Sequence, residues 1–174
     1  DILYRGNLDI INGNWDGYHR LFVKRENFFE DIATSPFNTP SKIRTVISAD
    51  FDNDGFDEVF MNNIGEPNKL FKILDDGKVK EISIKTALEP NGLGTGAAVA
   101  DIDNDGILEL LISHGEVGLQ KLTLYKANIV KKKNFIRIKP LNKNGAPARG
   151  ATVTLISNKR KHAKTIDSGS GYLC

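Results

Sequence analysis

Cysteine, methionine and tryptophan are scarce in this 174-residue chain, which contains one of each. The single cysteine, Cys174, excludes a disulfide framework within the chain. No uninterrupted apolar run approaches the roughly 20 residues that a membrane-spanning helix needs, and no basic segment followed by an apolar one stands at the start. Hydrophobic residues still make up 40% of the sequence, which is typical of a globular chain that buries a core.

Acidic residues are missing from a long C-terminal stretch, because none occurs between Gly118 and Ile166. Residues 1–116 carry a net charge of −10, whereas residues 117–174 carry +12, so the overall charge is +2. Opposite charges in adjacent segments favour two modules with different partners. Two solvated faces would produce the same charge pattern.

A nine-residue acidic pattern is repeated in the acidic part of the chain. Residues 50–58 (DFDNDGFDE) and residues 101–109 (DIDNDGILE) start 51 positions apart, and residues 1–9 (DILYRGNLD) form a third, degenerate copy. We call these copies loop 1, loop 2 and loop 3 in chain order. Short apolar, β-rich segments follow each loop, and no stretch shows sustained helical periodicity. The pattern therefore predicts a row of antiparallel sheet units, that is, blades of a β-propeller.

Loops 2 and 3 contain carboxylates at alternate positions of a tight turn that ends in glycine. Carboxylates at such spacing repel one another unless a cation joins them. Calcium, a hard ion that takes about six to eight oxygen ligands, suits this arrangement better than the smaller magnesium ion. We therefore predict one calcium site per loop, with these ligands, the seventh-position residue contributing its carbonyl: Asp50, Asp52, Asp54, Phe56 and Glu58 in loop 2, and Asp101, Asp103, Asp105, Ile107 and Glu109 in loop 3.

Other interpretations of the loops are weaker. An EF-hand needs a glutamate at the twelfth position and flanking helices, but Met61 and Ile112 occupy that position in apolar, β-like runs. Ordinary Asp- and Gly-rich turns remain an alternative, although two copies in the same frame favour cation sites. Loop 1 is predicted to bind no metal, because Leu3 offers no ligand and Arg5 places a positive charge where the ion would lie.

The loops resemble the FG-GAP/VCBS repeats of integrin-α-like β-propellers, although both intact loops end in glutamate where that pattern commonly has aspartate. Other segments are similar to the cartilage acidic protein family: residues 12–21 (NGNWDGYHRL), 44–54 (RTVISADFDND), 87–96 (ALEPNGLGTG), 113–116 (SHGE) and 167–174 (DSGSGYLC). The last of these falls in the region that the family calls the ASPIC/UnbV domain.

The resemblance implies an all-β chain with two parts. Residues 1–127 are expected to form a partial β-propeller of FG-GAP/VCBS blades, and residues 134–174 a small β-hairpin ASPIC/UnbV module that is truncated at its C-terminus. Because three blades do not close a ring of seven, we expect the chain to be a piece of a longer protein. The family further implies a secreted, extracellular protein with structural calcium and an extracellular protein or matrix partner.

The basic part suggests a second function, the binding of sulfated glycans or another polyanion. The cations concerned are Lys131, Lys132, Lys133, Lys159, Arg160 and Lys161. Docking of this part on the acidic blades of the same chain is a further alternative, as is a set of solvated lysines. Nucleic acid is not an expected partner, because no reading motif accompanies the charge.

The sequence predicts no enzyme activity. His19, His114 and His162 are too far apart for a common metal-ligand spacing, and we interpret the first two as packing residues of turns. Cys174 lies in a Gly- and Ser-rich stretch with no base nearby in the sequence. Ser168 and Ser170 lack the surroundings of a nucleophile elbow.

Overall fold

The computed structural model describes residues 1–74, 76–116, 118–129, 134–157 and 160–167. These residues form twelve β-strands and a 3-10 turn at Lys85–Leu88, and they contain no α-helix. The predicted all-β class is therefore confirmed. The strands are β1 (Ile10–Asn12), β2 (Arg20–Lys24), β3 (Phe29–Asp31), β4 (Ile43–Ala49), β5 (Glu58–Asn63), β6 (Lys69–Ile73), β7 (Val79–Ile82), β8 (Gly94–Ala100), β9 (Glu109–His114), β10 (Thr123–Lys126), β11 (Thr152–Ser157) and β12 (Arg160–Thr165).

Three antiparallel sheets follow one another along the chain, each associated with one acidic loop. Blade 1 contains β1–β2–β3, blade 2 contains β4–β5–β6–β7, and blade 3 contains β8–β9–β10, all in sequential order. Loop 1 precedes β1, loop 2 joins β4 to β5, and loop 3 joins β8 to β9. Strands β11 and β12 form a separate two-stranded hairpin. In the described part of the chain, no helix has the length and the apolar composition to cross a membrane.

Blade 2 lies between two hydrophobic clusters, one of which covers each of its faces. All six residues of its strand β5 are buried. Successive side chains of a strand point to opposite faces of the sheet, so Val59 and Met61 pack with Leu21 in one cluster, whereas Phe60 packs with Ile112 in the other. Each such side chain stabilises the fold by about 1.5–3 kcal/mol. The clusters fix the blades beside one another and so fix the relative positions of the loops.

A directed hydrogen-bond chain joins blade 1 to blade 2. His19 is fully buried, and its Nδ1 accepts the Asn14 N–H at 3.1 Å. Its Nε2 therefore carries the proton and donates to Ser41 Oγ at 3.0 Å, while the Ser41 hydroxyl donates to Asn63 Oδ1 at 2.9 Å. The interpretation of His19 as a packing residue agrees with this arrangement, which requires the neutral imidazole.

Acid should destabilise the fold through His19. Burial, with a smaller effect of Lys69, lowers the pKa of His19 from its ordinary 6.5. The unfolded chain therefore takes up a proton below pH 6.5 that the folded chain refuses, and stability should fall by up to about 1.4 kcal/mol per pH unit. Urea unfolding between pH 5 and 7.5 measures this slope. The slope of the His19→Gln variant should be smaller than that of the unchanged chain, whereas Lys78→Ala, a change at an exposed lysine, should leave the slope unchanged. Equal slopes in His19→Gln and the unchanged chain would contradict the assignment.

Candidate metal centre

The three loops share one backbone conformation although only two of them carry the full set of acids. The fourth position has a left-handed backbone in each loop, and so does the glycine at the sixth position: φ is 52° at Tyr4, 53° at Asn53 and 63° at Asn104, and 82° at Gly6, 90° at Gly55 and 86° at Gly106. Asparagine tolerates this region well, whereas a bulky residue such as tyrosine adopts it rarely. Loop 1 therefore keeps the turn without the usual fourth residue.

Two carboxylates close each loop by accepting backbone N–H groups. The first-position aspartate accepts the N–H of the glycine: Gly6 to Asp1 at 2.6 Å, Gly55 to Asp50 at 2.8 Å and Gly106 to Asp101 at 3.1 Å. The ninth-position carboxylate accepts the N–H of the second residue: Ile2 to Asp9 at 2.7 Å, Phe51 to Glu58 at 3.0 Å and Ile102 to Glu109 at 2.7 Å. These carboxylates are structural groups even without a metal ion.

Loop 2 brings acidic side chains together at a partly buried position. Carboxylate oxygens of Asp50, Asp52 and Glu58 lie within 4.8 Å of one another. The Glu58 side chain is only 1% exposed, and burial, helped by the charge of Asp52, raises the pKa of Glu58 to about 7. Burial also raises the pKa of Asp50. This accumulation of negative charge needs a cation beside it.

In the described structure that cation is the ammonium group of Lys72, which the sequence analysis did not identify. Lys72 lies on β6 directly opposite Glu58 of β5. Its Nζ is 3.4 Å from Glu58 Oε1 and 3.3 Å from Asp52 Oδ2, and it also contacts Asp54. Although burial opposes the positive charge, the hydrogen bond to Asp54 and the neighbouring carboxylates raise the pKa of Lys72.

Loop 3 repeats this arrangement with Lys126. Carboxylate oxygens of Asp101, Asp103 and Glu109 again lie within 4.8 Å of one another. Lys126, opposite Glu109 across β9 and β10, places its Nζ 2.5 Å from Glu109 Oε1, 2.7 Å from Asp103 Oδ2 and 2.9 Å from Asp105 Oδ1. The guanidinium of Arg137 adds a second cation, which contacts Asp101.

The remaining predicted ligands lie beside these clusters. Asp54 Oδ1 accepts the Phe56 N–H at 2.9 Å, and Asp105 Oδ1 accepts the Ile107 N–H at 3.0 Å. The carbonyl groups of Phe56 and Ile107 stay predicted ligands. Loops 2 and 3 thus each hold four predicted side-chain ligands in one turn. Three of these acids contact the lysine of the loop, and the fourth lies beside them.

The donor set fits a hard cation such as calcium. Asp101 Oδ1 is buried and accepts no hydrogen bond from the described residues. The buried oxygens Glu58 Oε1 and Glu109 Oε1 face a lysine ammonium group, at 3.4 Å and 2.5 Å. Each is therefore able to accept a metal ion once the nearby ammonium or guanidinium group withdraws. All the side-chain donors are carboxylates, which calcium prefers to the nitrogen and sulfur ligands of zinc.

Loop 1 satisfies its carboxylates differently. Asp9 accepts the Lys24 N–H at 2.8 Å in addition to its loop-closing bond. Asp1 accepts the N–H of Ala163, from the C-terminal hairpin, at 3.1 Å. The Arg5 guanidinium does not lie on these carboxylates but is directed toward the Lys24 carbonyl, 3.5 Å away. That loop 1 binds no metal stays a prediction.

The C-terminal hairpin docks on loops 1 and 2. The Lys161 N–H donates to the Tyr4 carbonyl at 3.1 Å, and the Arg160 guanidinium lies 4.0 Å from the centre of the Phe56 ring. Lys164 Nζ forms an ion pair of 3.0 Å with the buried Asp57. The sequence left several alternatives open for the basic part. For strand β12, the structure shows the one in which the basic part docks on the acidic blades. Lys131, Lys132, Lys133, Lys159 and the segment 168–174, with Ser168, Ser170 and Cys174, lie outside the described residues.

A second polar cluster in blade 3 joins two of the segments that carried the family resemblance. Glu89, from residues 87–96, accepts hydrogen bonds from Thr123 Oγ1 at 2.7 Å and Tyr125 Oη at 2.6 Å. It also lies 2.8 Å from His114 Nε2. Burial opposes the ionisation of Glu89, but the hydrogen bonds from Tyr125, His114 and Thr123 lower its pKa overall. The interpretation of His114 as a packing residue agrees with this cluster.

The loop-closing role of the ninth position should be separable from metal binding. Asp9→Ala leaves the N–H groups of Ile2 and Lys24 without their acceptor, which should lower the free energy of unfolding by about 1–3 kcal/mol. Urea unfolding with calcium and with a chelator should show the same loss in both. Asp76→Ala, which removes an exposed acid from a turn, is the control, and a loss no greater than the control's would disprove the closing role.

Comparison with known proteins identifies the family to which the repeats belong. Residues 1–61 and 50–112 each match the FG-GAP-like repeat family, and the chain belongs to this family. It is 45% identical to cartilage acidic protein 1 of Mus musculus, 47% to that of Xenopus tropicalis and 44% to that of Homo sapiens, in each case over 97% of the chain. The chain spans 28% of the length of these relatives. The expected resemblance to the cartilage acidic protein family is confirmed.

Proposed function

We propose that the chain is the calcium-binding part of a secreted, integrin-α-like adhesion or matrix-interaction protein, in which calcium is structural. The observation that carries the proposal is the pair of acidic triads at equivalent positions of loops 2 and 3. The FG-GAP-like family and the cartilage relatives support an extracellular matrix setting. The proposal includes the division of the chain into two domains, residues 1–127 and residues 134–174. It also includes the prediction that the chain has no enzyme activity.

In loop 2 the ion would be held by Asp50, Asp52, Asp54, Glu58 and the Phe56 carbonyl, and in loop 3 by the equivalent residues. Bound calcium would supply two positive charges that join the first and ninth positions of the loop. Extracellular calcium modules have dissociation constants of about 10⁻⁴–10⁻³ M. Sites of that strength would be occupied outside the cell and serve to stiffen the blades.

Calcium titration of paired aspartate variants tests the proposal. Asp52→Asn combined with Asp103→Asn removes one charge from each loop but keeps an oxygen for the local turn. Calorimetry should find two sites near millimolar calcium in the unchanged chain, and the double variant should lose most of the binding. At calcium concentrations of one to ten times Kd, each site should add about 0.4–1.4 kcal/mol to the stability of the unchanged chain.

Asp76→Asn provides the matched control, because Asp76 lies in an exposed turn outside the loops and pairs with Lys78 at 2.6 Å. It should leave both the heat of calcium binding and the thermal shift unchanged. A folded, unchanged chain that gives neither heat nor shift at several millimolar calcium would eliminate the calcium proposal. An equal loss of binding in all variants would show that the effect is not specific to the loops.

A second candidate function is the binding of sulfated glycans or another polyanion. The observation in its favour is an open cleft of about 620 Å³, lined by Arg5, Asn7, Lys24, Arg25, Glu26 and Phe28. Lys161 lies beside the cleft, because β12 pairs with loop 1 through Arg5. Arg5, Lys24 and Lys161 form no ion pair with the described residues. Their uncompensated charges could attract an oxyanion.

Heparin chromatography tests this candidate. Arg5→Ala combined with Lys161→Ala should elute at a lower salt concentration than the unchanged chain, because fewer counterions are released from the polyanion on binding. Lys78→Ala removes an exposed lysine elsewhere and should shift elution less. If the paired variant and the control elute alike, the cleft is not a polyanion site. Lys131, Lys132 and Lys133 would then be the next cations to change.

A further inference from the structure

Lys72 and Lys126, which pair with the acids of loops 2 and 3 from neighbouring strands, occupy the same position of the repeat. Lys72 stands opposite Glu58, and Lys126 stands opposite Glu109, each on the strand that pairs with the ninth loop position. In blade 1 the same position is Val23, as the pairing of Ile10 with Phe22 shows. Val23 is fully buried in the hydrophobic cluster. A lysine is therefore present where the acidic set is complete and is replaced by an apolar residue where that set is degenerate.

The local charge explains why such a lysine is needed. Loop 2 contains Asp50, Asp52, Asp54 and Glu58, with the Glu58 side chain 1% exposed. A carboxylate buried without a counter-charge is strongly unfavourable. The Lys72 ammonium group contributes one positive charge and reaches three of these acids. The single charge of Lys72 does not balance the four carboxylates of Asp50, Asp52, Asp54 and Glu58, and a divalent ion would offer them one more positive charge.

The lysine and a metal ion would require the same carboxylate groups. Lys72 Nζ faces Glu58 Oε1 and Asp52 Oδ2, and oxygens of these two residues belong to the acidic triad. In loop 3 Lys126 Nζ likewise faces Glu109 Oε1 and Asp103 Oδ2. A cation bound to all three carboxylates of a triad would lie too close to the ammonium group for both to remain. Lysine has a flexible four-carbon stem, which would allow its head group to move out to solvent.

We propose that Lys72 and Lys126 are built-in counter-cations that keep loops 2 and 3 folded without metal and that calcium must displace. This inference rests on the proposed calcium function and adds a regulation of the same sites. Each loop then alternates between a lysine-paired state and a calcium-bound state. Because part of the intrinsic affinity is used to displace the lysine, the apparent calcium affinity is lowered. The loops would respond to calcium by exchange of cations and not by folding.

Neutral variants of the lysines test the inference with two independent readouts. Lys72→Met combined with Lys126→Met keeps the length and the apolar stem of both side chains but removes their charges. Without competition, calcium affinity should rise about tenfold at each site, since a unit charge at about 4 Å has a substantial effect even when partly screened. In chelator the same variant should melt at a lower temperature than the unchanged chain, and saturating calcium should close or reverse that difference.

Matched variants separate the explanations. Lys78→Met removes an exposed lysine and should change neither readout, and Lys72→Arg combined with Lys126→Arg keeps the charges and should not raise the affinity. If the double methionine variant does not fold in chelator, each single variant leaves the other loop as an internal reference, and only the changed loop should bind more tightly. Unchanged affinity and unchanged melting in chelator would overturn the counter-cation role while leaving the calcium sites intact. Absence of calcium binding in every folded variant would instead overturn the proposed function.

Discussion

The fold of each loop depends on one carboxylate, the ninth-position acid that accepts the N–H of the second residue. In loops 2 and 3 this acid is buried. This bond, at 2.7–3.0 Å, turns the chain sharply just before or at the start of strands β1, β5 and β9. It is formed by Asp9 in a loop that lacks the middle acids and by Glu58 and Glu109 in loops that have them. The shape of the turn is therefore set by the first, sixth and ninth positions, whereas the additional negative charge of loops 2 and 3 comes mainly from the third and fifth positions.

The carboxylates of the loops require a counter-charge or hydrogen-bond donors, and the structure meets this requirement in two ways. Loops 2 and 3 use lysine side chains from the neighbouring strand. Loop 1 uses backbone N–H groups, one of which comes from Ala163 of the C-terminal hairpin. Loop 1 has no acid between its first and ninth positions. Because loop 1 has Tyr4 and Arg5 at its tip instead, its backbone can pair with β12. Degeneration of the repeat and docking of the hairpin are thus linked.

The sequence predicted the elements that depend on local pattern, because repetition, alternation and turn residues are all short-range features. The blades, the intact loops and the hairpin over residues 152–157 and 160–165 belong to this group. The lysines could not be assigned, because their partners depend on strand register: Lys72 lies 14 positions after Glu58, but Lys126 lies 17 after Glu109. The available signal for Lys72 was its position in the otherwise apolar segment 70–74, where a charged side chain needs a partner. The pairing of Glu89 with His114 depends on tertiary contacts in the same way.

Loop 2 also contacts the C-terminal hairpin, so its conformation affects a second part of the chain. Phe56 and Asp57 are adjacent residues of this loop, and both hold the hairpin, through Arg160 and Lys164 respectively. The carbonyl of Phe56 is also a predicted metal ligand. A cation that binds loop 2 would therefore act on the residue that packs against Arg160, without any contact of its own with the hairpin. Among the described residues of the segment 134–174, Arg137 and Phe135, which precede the hairpin, lie against loop 3. Two loops with nearly the same sequence thus have different consequences for the C-terminal part, and the difference comes from what docks on them.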